Sequence, residues 1–258
     1  MPWRKAFPFC ASASRHLPRL IRRVFPILSG TLSKHQSRCR PPGSLTVFLN
    51  RGDHFEPVLL PSEAQFAPAF GVVVADFDGD GNEDIFLSQN FFPLQPTTAR
   101  LDAGRGLLLR GDGHGGFTAL PGQQCGLLVY GEGRGAAACD YDGDGRVDLA
   151  VSQNGAQTKL YHNVAGRPGL RVRLKGGPGN PQAVGAVVRL GFGTHWGAAR
   201  ELHAGSGYWS QDSPVTVMAT SQAPTQIQIR WPGGKTTITD VPKDAKEIEV
   251  DSTGSSVR

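Results

Sequence analysis

No stretch of this sequence approaches the ~20 consecutive apolar residues that a membrane-crossing helix needs, so no membrane span is expected. The four cysteines, Cys10, Cys39, Cys125 and Cys139, form no C-x-x-C pair, and no His/Cys cluster has zinc spacing. That excludes zinc-finger and thioredoxin-type chemistry, while a Cys125–Cys139 disulfide stays open for an oxidising compartment. Asp and Glu are missing altogether from residues 1–40, which hold nine of the 27 basic residues. The remaining 218 residues therefore carry 18 basic and 22 acidic side chains, and the formal charge of +5 misdescribes a mildly acidic body. A nucleic-acid partner is accordingly not expected.

Catalytic signatures are absent too. Gly111 to Gly116 spells G-x-G-x-x-G, but no βαβ pattern surrounds it, so it reads as a hairpin turn. Gly234-Lys235-Thr236 lacks the first glycine of a phosphate loop, because that position is Ile229. Ser206 sits between glycines, yet Ala204 breaks G-x-S-x-G and no partner histidine and aspartate can be assigned. His195 and His203 read as surface or packed histidines. Two Arg-Gly-Asp tripeptides, at 51–53 and 110–112, read as hairpin turns rather than receptor ligands.

Residues 1–43 are rich in Arg, Pro and Ser and read as a disordered or processed leader. The apolar runs Leu20-Ile21 and Val24 to Leu28 are too broken for a secretory signal, and Pro18 and Pro26 spoil a transit-type amphipathic helix. A truncated or misplaced start is the other reading.

What the chain does have is glycine and proline, 34 and 19 in 258 residues, which favour short strands and turns in one or two all-β domains. It also has one motif twice. Asp76-Phe77-Asp78-Gly79-Asp80-Gly81-Asn82-Glu83-Asp84 returns 64 positions later as Asp140-Tyr141-Asp142-Gly143-Asp144-Gly145-Arg146-Val147-Asp148. Each copy places aspartates at loop positions 1, 3, 5 and 9 and glycine at 6. Alternate aspartates can converge on one hard cation, and calcium takes six to eight oxygen ligands. An EF-hand would need an acidic residue at position 12, where this chain has Leu87 and Val151.

The repeat extends on both sides. Gly71 to Ala75 matches Gly135 to Cys139, which makes Cys139 a small packed residue like Ala75, and Ile85 to Asn90 matches Leu149 to Asn154. Each unit reads strand, acidic loop, strand, Ser-Gln-Asn turn. A looser repeat, Val47 to Phe55 and Leu107 to Phe117, has the signature of a hairpin, and Leu160 to Asn163 looks like the start of a third. Units of this kind suggest radially arranged β-blades.

On these residues, region 44–165 resembles the FG-GAP/VCBS-type repeats of integrin-like β-propellers. The resemblance implies calcium ligation by Asp76, Asp78, Asp80 and Asp84 with the carbonyl of Asn82, and by Asp140, Asp142, Asp144 and Asp148 with the carbonyl of Arg146. About two blades fall short of a closed ring, which implies completion by self-assembly or a partner chain, packing on the C-terminal domain, or a fragment of a longer propeller.

After Asn163 the composition changes. Alternating strands such as Leu170 to Lys175 and Ile227 to Trp231 predict a small antiparallel sandwich or barrel over 166–252, followed by a tail, 253–258. Arg171, Arg173, Lys175, Arg189 and Arg230 read either as a solvated strand face or as a basic stripe suited to an anionic glycan. The segments Gly185 to Arg189, Gly205 to Pro214 and Ile229 to Lys235 make this region similar to the ASPIC/UnbV domain of the cartilage acidic protein family and its bacterial relatives. The strand expected over Val215 to Ala223 lacks the usual glycine. Together the two resemblances imply an extracellular or periplasmic, non-enzymatic, calcium-binding module that presents a surface to a protein or glycan. An accessory or catalytic component of a biosynthetic or carbohydrate-active complex is the alternative.

Overall fold

The computed structural model describes residues 44–93, 95–97, 102–219, 222–254 and 256–257. The basic leader, with Cys10 and Cys39, lies outside them. The chain is all-β, and the described residues include one short 3₁₀ turn at Ser62–Phe66 and one helical turn at Gly122–Cys125.

The repeat region builds three packed units. Strands β1 (Thr46–Asn50) and β2 (Phe55–Leu59) form a two-stranded hairpin. Strands β3 (Ala69–Ala75), β4 (Asp84–Gln89), β5 (Leu107–Gly111) and β6 (Phe117–Leu120) form a complete four-stranded antiparallel meander, the shape of one propeller blade. Strands β7 (Glu132–Cys139), β8 (Asp148–Asn154) and β9 (Ala156–Tyr161) form a three-stranded sheet. The expected third hairpin is absent, because the chain leaves the sheet at the end of β9.

Burial explains the difference between the two copies. All six residues of β4 are buried, because units pack on both of its faces. Ile85 and Leu87 face the β1–β2 hairpin in a core with Val47 and Leu49. Phe86, fully buried, faces the other way into a core with Leu149 and Val151 of β8. A strand buried on both faces reads as a continuous apolar run. Beyond the loop residue Asp148, only Leu149 and Val151 of β8 are buried, while Ala150 and Ser152 on the opposite face are half-exposed. That face shows the alternation of a one-sided strand.

The remaining eight strands make a sandwich of two four-stranded sheets, with no closed barrel. One sheet contains β10 (Leu170–Lys175), β13 (Thr216–Met218), β16 (Glu247–Asp251) and β17 (Ser256–Val257). The other contains β11 (Val187–Phe192), β12 (His195–Glu201), β14 (Gln226–Arg230) and β15 (Thr236–Asp240). Leu170, Val172, Ile248 and Val250 of the first meet Val188, Leu190, Ile227 and Ile229 of the second in one core. Strand β17 extends this sheet into the segment read as a tail.

One pair departs from the antiparallel pattern expected of this domain, because β10 pairs parallel with β16. Alternation dictates which side chains face the core, but says nothing about the direction of a neighbour. The parallel register sets Arg171 beside Glu247, Arg173 beside Glu249 and Lys175 beside Asp251. Arg173 lies 3.4 Å from Glu247 and 3.8 Å from Glu249. The basic stripe is thus interleaved with acids, while Arg189 and Arg230 stand on the other sheet.

The sandwich is seated on the blades. Ala138 of β7 donates its N–H to Asp212 Oδ1 (2.7 Å), and the N–H of Ser213 donates to the Ala138 carbonyl (2.9 Å). The edge of β7 that no strand covers is therefore partnered by the 206–213 segment, as buried backbone groups require. Val217 of β13 enters the core between the two blades.

Candidate metal loops

Both loops fold by one hydrogen-bond plan. In the first, Asp76 Oδ1 accepts the N–H of Gly79 (2.8 Å) and of Asp80 (3.1 Å), and Oδ2 accepts that of Gly81 (2.9 Å). In the second, Asp140 accepts the N–H groups of Gly143 (2.8 Å), Asp144 (3.1 Å) and Gly145 (3.0 Å) in the same order. This winding needs left-handed backbone at the glycines: φ is +72° and +94° at Gly79 and Gly81, and +80° and +84° at Gly143 and Gly145. Residues with a Cβ resist such angles.

The ninth position closes each loop. Asp84, at the start of β4 and 1% exposed, accepts from Phe77 N–H (2.9 Å) and from Gly111 N–H at the end of β5 (2.9 Å). Asp148, at the start of β8 and fully buried, accepts from Tyr141 N–H (3.1 Å) and from Asn163 N–H (2.7 Å). Gly111 and Asn163 occupy the same structural place. Sequence spacing hides this, because β4 and β5 are joined by a much longer loop than β8 and β9. Asn163 also caps the turn that follows, its Oδ1 accepting from Gly166 N–H (2.9 Å).

Of the expected ligands, Asp76, Asp78 and Asp84 bring one carboxylate oxygen each within 4.8 Å of one another, as do Asp140, Asp142 and Asp148. Asp80 and Asp144 stand apart from these triads. Asp80 Oδ1 accepts the N–H of Asn82 (2.8 Å), and Asp144 Oδ1 accepts that of Arg146 (2.8 Å). Asp144 instead converges with Asp142 and His162, whose Nε2 is 3.0 Å from Asp142 Oδ2 and 3.6 Å from Asp144 Oδ2. His162, stacked edge-on against Tyr141 at 5.6 Å, had no counterpart in the motif reading.

The electrostatics of the triads fit a hard cation. Burial pushes Asp84 up to about 7, against the pull of the Gly111 and Phe77 N–H groups and reinforced by the charges of Asp78 and Asp76. Burial likewise raises Asp76 to about 6, with Arg200 opposing. Asp148 is raised for the same reason. Carboxylates held that close resist full ionisation unless a positive charge joins them. The donor set is all oxygen, which suits calcium better than a softer metal.

The other sequence candidates resolve as local structure. The Gly111 to Gly116 stretch is the β5–β6 hairpin turn, in which Asp112 Oδ1 accepts from His114 and Gly116 N–H. The two Arg-Gly-Asp tripeptides do not share a place in the hairpin repeat: Arg51 follows β1, whereas Arg110 lies within β5. Arg51 pairs with Glu56 at 2.6 Å. Cys125 and Cys139 are both free thiols, so no disulfide joins them. Cys139 is half-buried opposite Asp148, where Ala75 sits opposite Asp84. His195 stacks on Phe192 at 5.4 Å.

Residues 38–87 match the FG-GAP-like repeat family, and residues 176–256 match the ASPIC and UnbV family. The chain carries an FG-GAP-like repeat followed by an ASPIC/UnbV domain. It is also similar to cartilage acidic protein 1 of Homo sapiens, 28% identical over 190 residues, which cover 70% of this chain and 27% of that protein. The chain thus spans about a quarter of that relative's length. The FG-GAP-like match ends inside β4 and so contains the whole first loop. The ASPIC/UnbV match contains β11 to β16 and the first residue of β17, and leaves out β10. None of the described helices is long and apolar enough to cross a membrane.

Two contacts that sequence reasoning missed tie the C-terminal sandwich to the loops. Arg200 Nε of β12 pairs with Glu83 Oε1 at 2.8 Å, and its Nη1 donates to the Val217 carbonyl at 2.6 Å. Arg171 of β10 lies against Asp140 in the second loop, Nε to Oδ2 3.3 Å. Neither is legible as a pair, since the partners are 117 and 31 residues apart.

Proposed function

We propose that this protein is a calcium-braced, non-enzymatic binding module of the extracellular type. The observation that carries the reading is the convergence of three carboxylate oxygens within 4.8 Å at equivalent corners of two sheets. Asp76, Asp78 and Asp84 would hold one ion, and Asp140, Asp142 and Asp148 the other, with the Asn82 and Arg146 carbonyls and Asp80 and Asp144 completing the shells. Bound calcium supplies the positive charge that lets all three carboxylates of a triad ionise together. The loops, so held, anchor β4 and β8 and form the seat of the ASPIC/UnbV domain. The FG-GAP-like match supports calcium as the ion. The likeness to cartilage acidic protein 1 supports an extracellular setting, where calcium is millimolar.

The face offered to a protein or glycan centres on Trp209. This residue is 91% exposed, stacks on Tyr208 at 5.7 Å, and holds a left-handed backbone (φ +48°) that few side chains adopt without support. Aromatic faces of this kind suit sugar rings and protein hot spots alike. Native mass spectrometry of the chelator-treated chain in added calcium tests the reading. Two calcium ions per chain are expected, and none in Asp84→Asn with Asp148→Asn. A spectrum free of calcium at millimolar concentration overturns it.

A further inference from the structure

The two loops share a motif and a hydrogen-bond plan, but not their surroundings. Among the described residues, no Lys, Arg or His lies within ion-pair distance of Asp76, Asp78, Asp80 or Asp84. Arg200 acts on Asp76 only from beyond that distance, its guanidinium being engaged by Glu83. The second loop is crowded with cations. Arg146 Nη1 is 2.5 Å from Asp144 Oδ2, and Arg171 Nε is 3.3 Å from the buried Asp140 Oδ2. The Arg171 guanidinium also lies over the loop backbone, with Nη1 2.5 Å from where a Cβ on Gly143 would stand. Its alternative partner, Glu247 Oε2, is 3.5 Å away.

We infer that the two loops are unequal calcium sites: the first is an open cation site, and the second already carries a built-in counter-ion, Arg171, supplied by the C-terminal sandwich. This rests on the calcium reading above. A fixed guanidinium beside the ligating oxygens repels an incoming divalent ion and holds carboxylates that the ion would use. Arg146 is local to the loop, whereas Arg171 arrives from β10. Ion occupancy at the second loop and seating of the C-terminal domain therefore draw on the same carboxylate, Asp140. The first loop takes calcium whether or not the sandwich is seated. The second takes it only as Arg171 turns toward Glu247.

Isothermal titration of the chelator-treated full chain with calcium alone tests this. Two classes of site are expected, separated by about ten-fold or more in Kd, as one nearby charge in a poorly solvated loop suffices to produce. Asp84→Asn removes the tighter class and Asp148→Asn the weaker. Arg171→Gln tightens the weaker class about ten-fold and leaves the tighter one alone. Arg146→Gln, which keeps the loop carbonyl, does the same if Arg171→Gln fails to fold by circular dichroism. Lys235→Gln, whose amine donates to the Ser252 carbonyl rather than to any loop carboxylate or to Glu247, moves neither class. Two sites of equal affinity, or a weak class indifferent to both arginine variants, overturn the inference while leaving the calcium reading intact. No calcium heat in any variant removes the reading on which it stands.

Discussion

The sharpest consequence of the loop geometry is a calcium-dependent melting temperature that two single-atom-scale changes should abolish. Asp84→Asn and Asp148→Asn keep the size and one acceptor oxygen of the residues at the ninth loop position. Each leaves an N–H, of Phe77 or Gly111 and of Tyr141 or Asn163, facing an amide nitrogen. That mismatch costs about 1–3 kcal/mol, partly offset because a buried charge is gone. Absolute melting temperatures are therefore a poor readout, and the increment between chelator and calcium is the right one. Extracellular calcium modules bind with Kd of ~10⁻⁴–10⁻³ M, so 10 mM calcium stabilises each site by about 1.4–2.7 kcal/mol. At about 2–4 °C per kcal/mol for a domain of this size, each site raises Tm by roughly 3–10 °C. Calorimetry of the wild type in chelator and in 10 mM calcium, with magnesium at the same ionic strength as control, gives the increment. Asp84→Asn should lose the larger share, and the double variant all of it. An unchanged wild-type Tm, or an increment that survives in the double variant, refutes the reasoning.

Three further outcomes follow from the same contacts. In chelator, stability should fall as pH rises from 5 to 7.5: the folded-state values of Asp76 and Asp84, about 6 and about 7, lie above the unfolded carboxylate range, so the folded chain binds the extra protons and loses that advantage as pH climbs through those values. Urea titrations across that window should show a slope that Asp84→Asn flattens, whereas a rise in stability toward pH 7.5 contradicts the sign. Arg200→Ala removes the Glu83 pair and the bond to the Val217 carbonyl, and should cost about 2–4 kcal/mol by urea unfolding, against under 1 for the exposed Arg51→Ala. Terbium in the second loop should be sensitised by Tyr141, which lies between Asp140 and Asp142. Tyr141→Phe should remove that emission, and excess calcium should compete it away.

The motif, read as a repeat, by itself determined much of this protein. Aspartates at alternate positions, glycines where φ must be positive, and apolar runs on both sides fold locally in one way, because the hydrogen bonds that wind the loop about its first aspartate lie within nine residues. Hence the position of both loops, the strands around them and the four aspartates of each could be read directly, whereas which three of them converge could not. The turn chemistry of Gly111 to Gly116 was legible for the same reason.

What tertiary structure alone decided involves partners far apart in sequence. Alternation placed Leu170, Val172 and Leu174 toward a core, but could not say that β16 lies parallel beside β10, since a period of two carries no information about the neighbour's direction. Nor could it show that Asp80 and Asp144 turn away to cap backbone N–H groups, or that Asn163 takes the role of Gly111. Above all, identical motifs read as identical sites, whereas the fold brings Arg171 to one loop and, among the described residues, sets no cation in contact with the other's aspartates. A loop's shape is written within the loop. Its charge is set by whatever the rest of the chain packs against it.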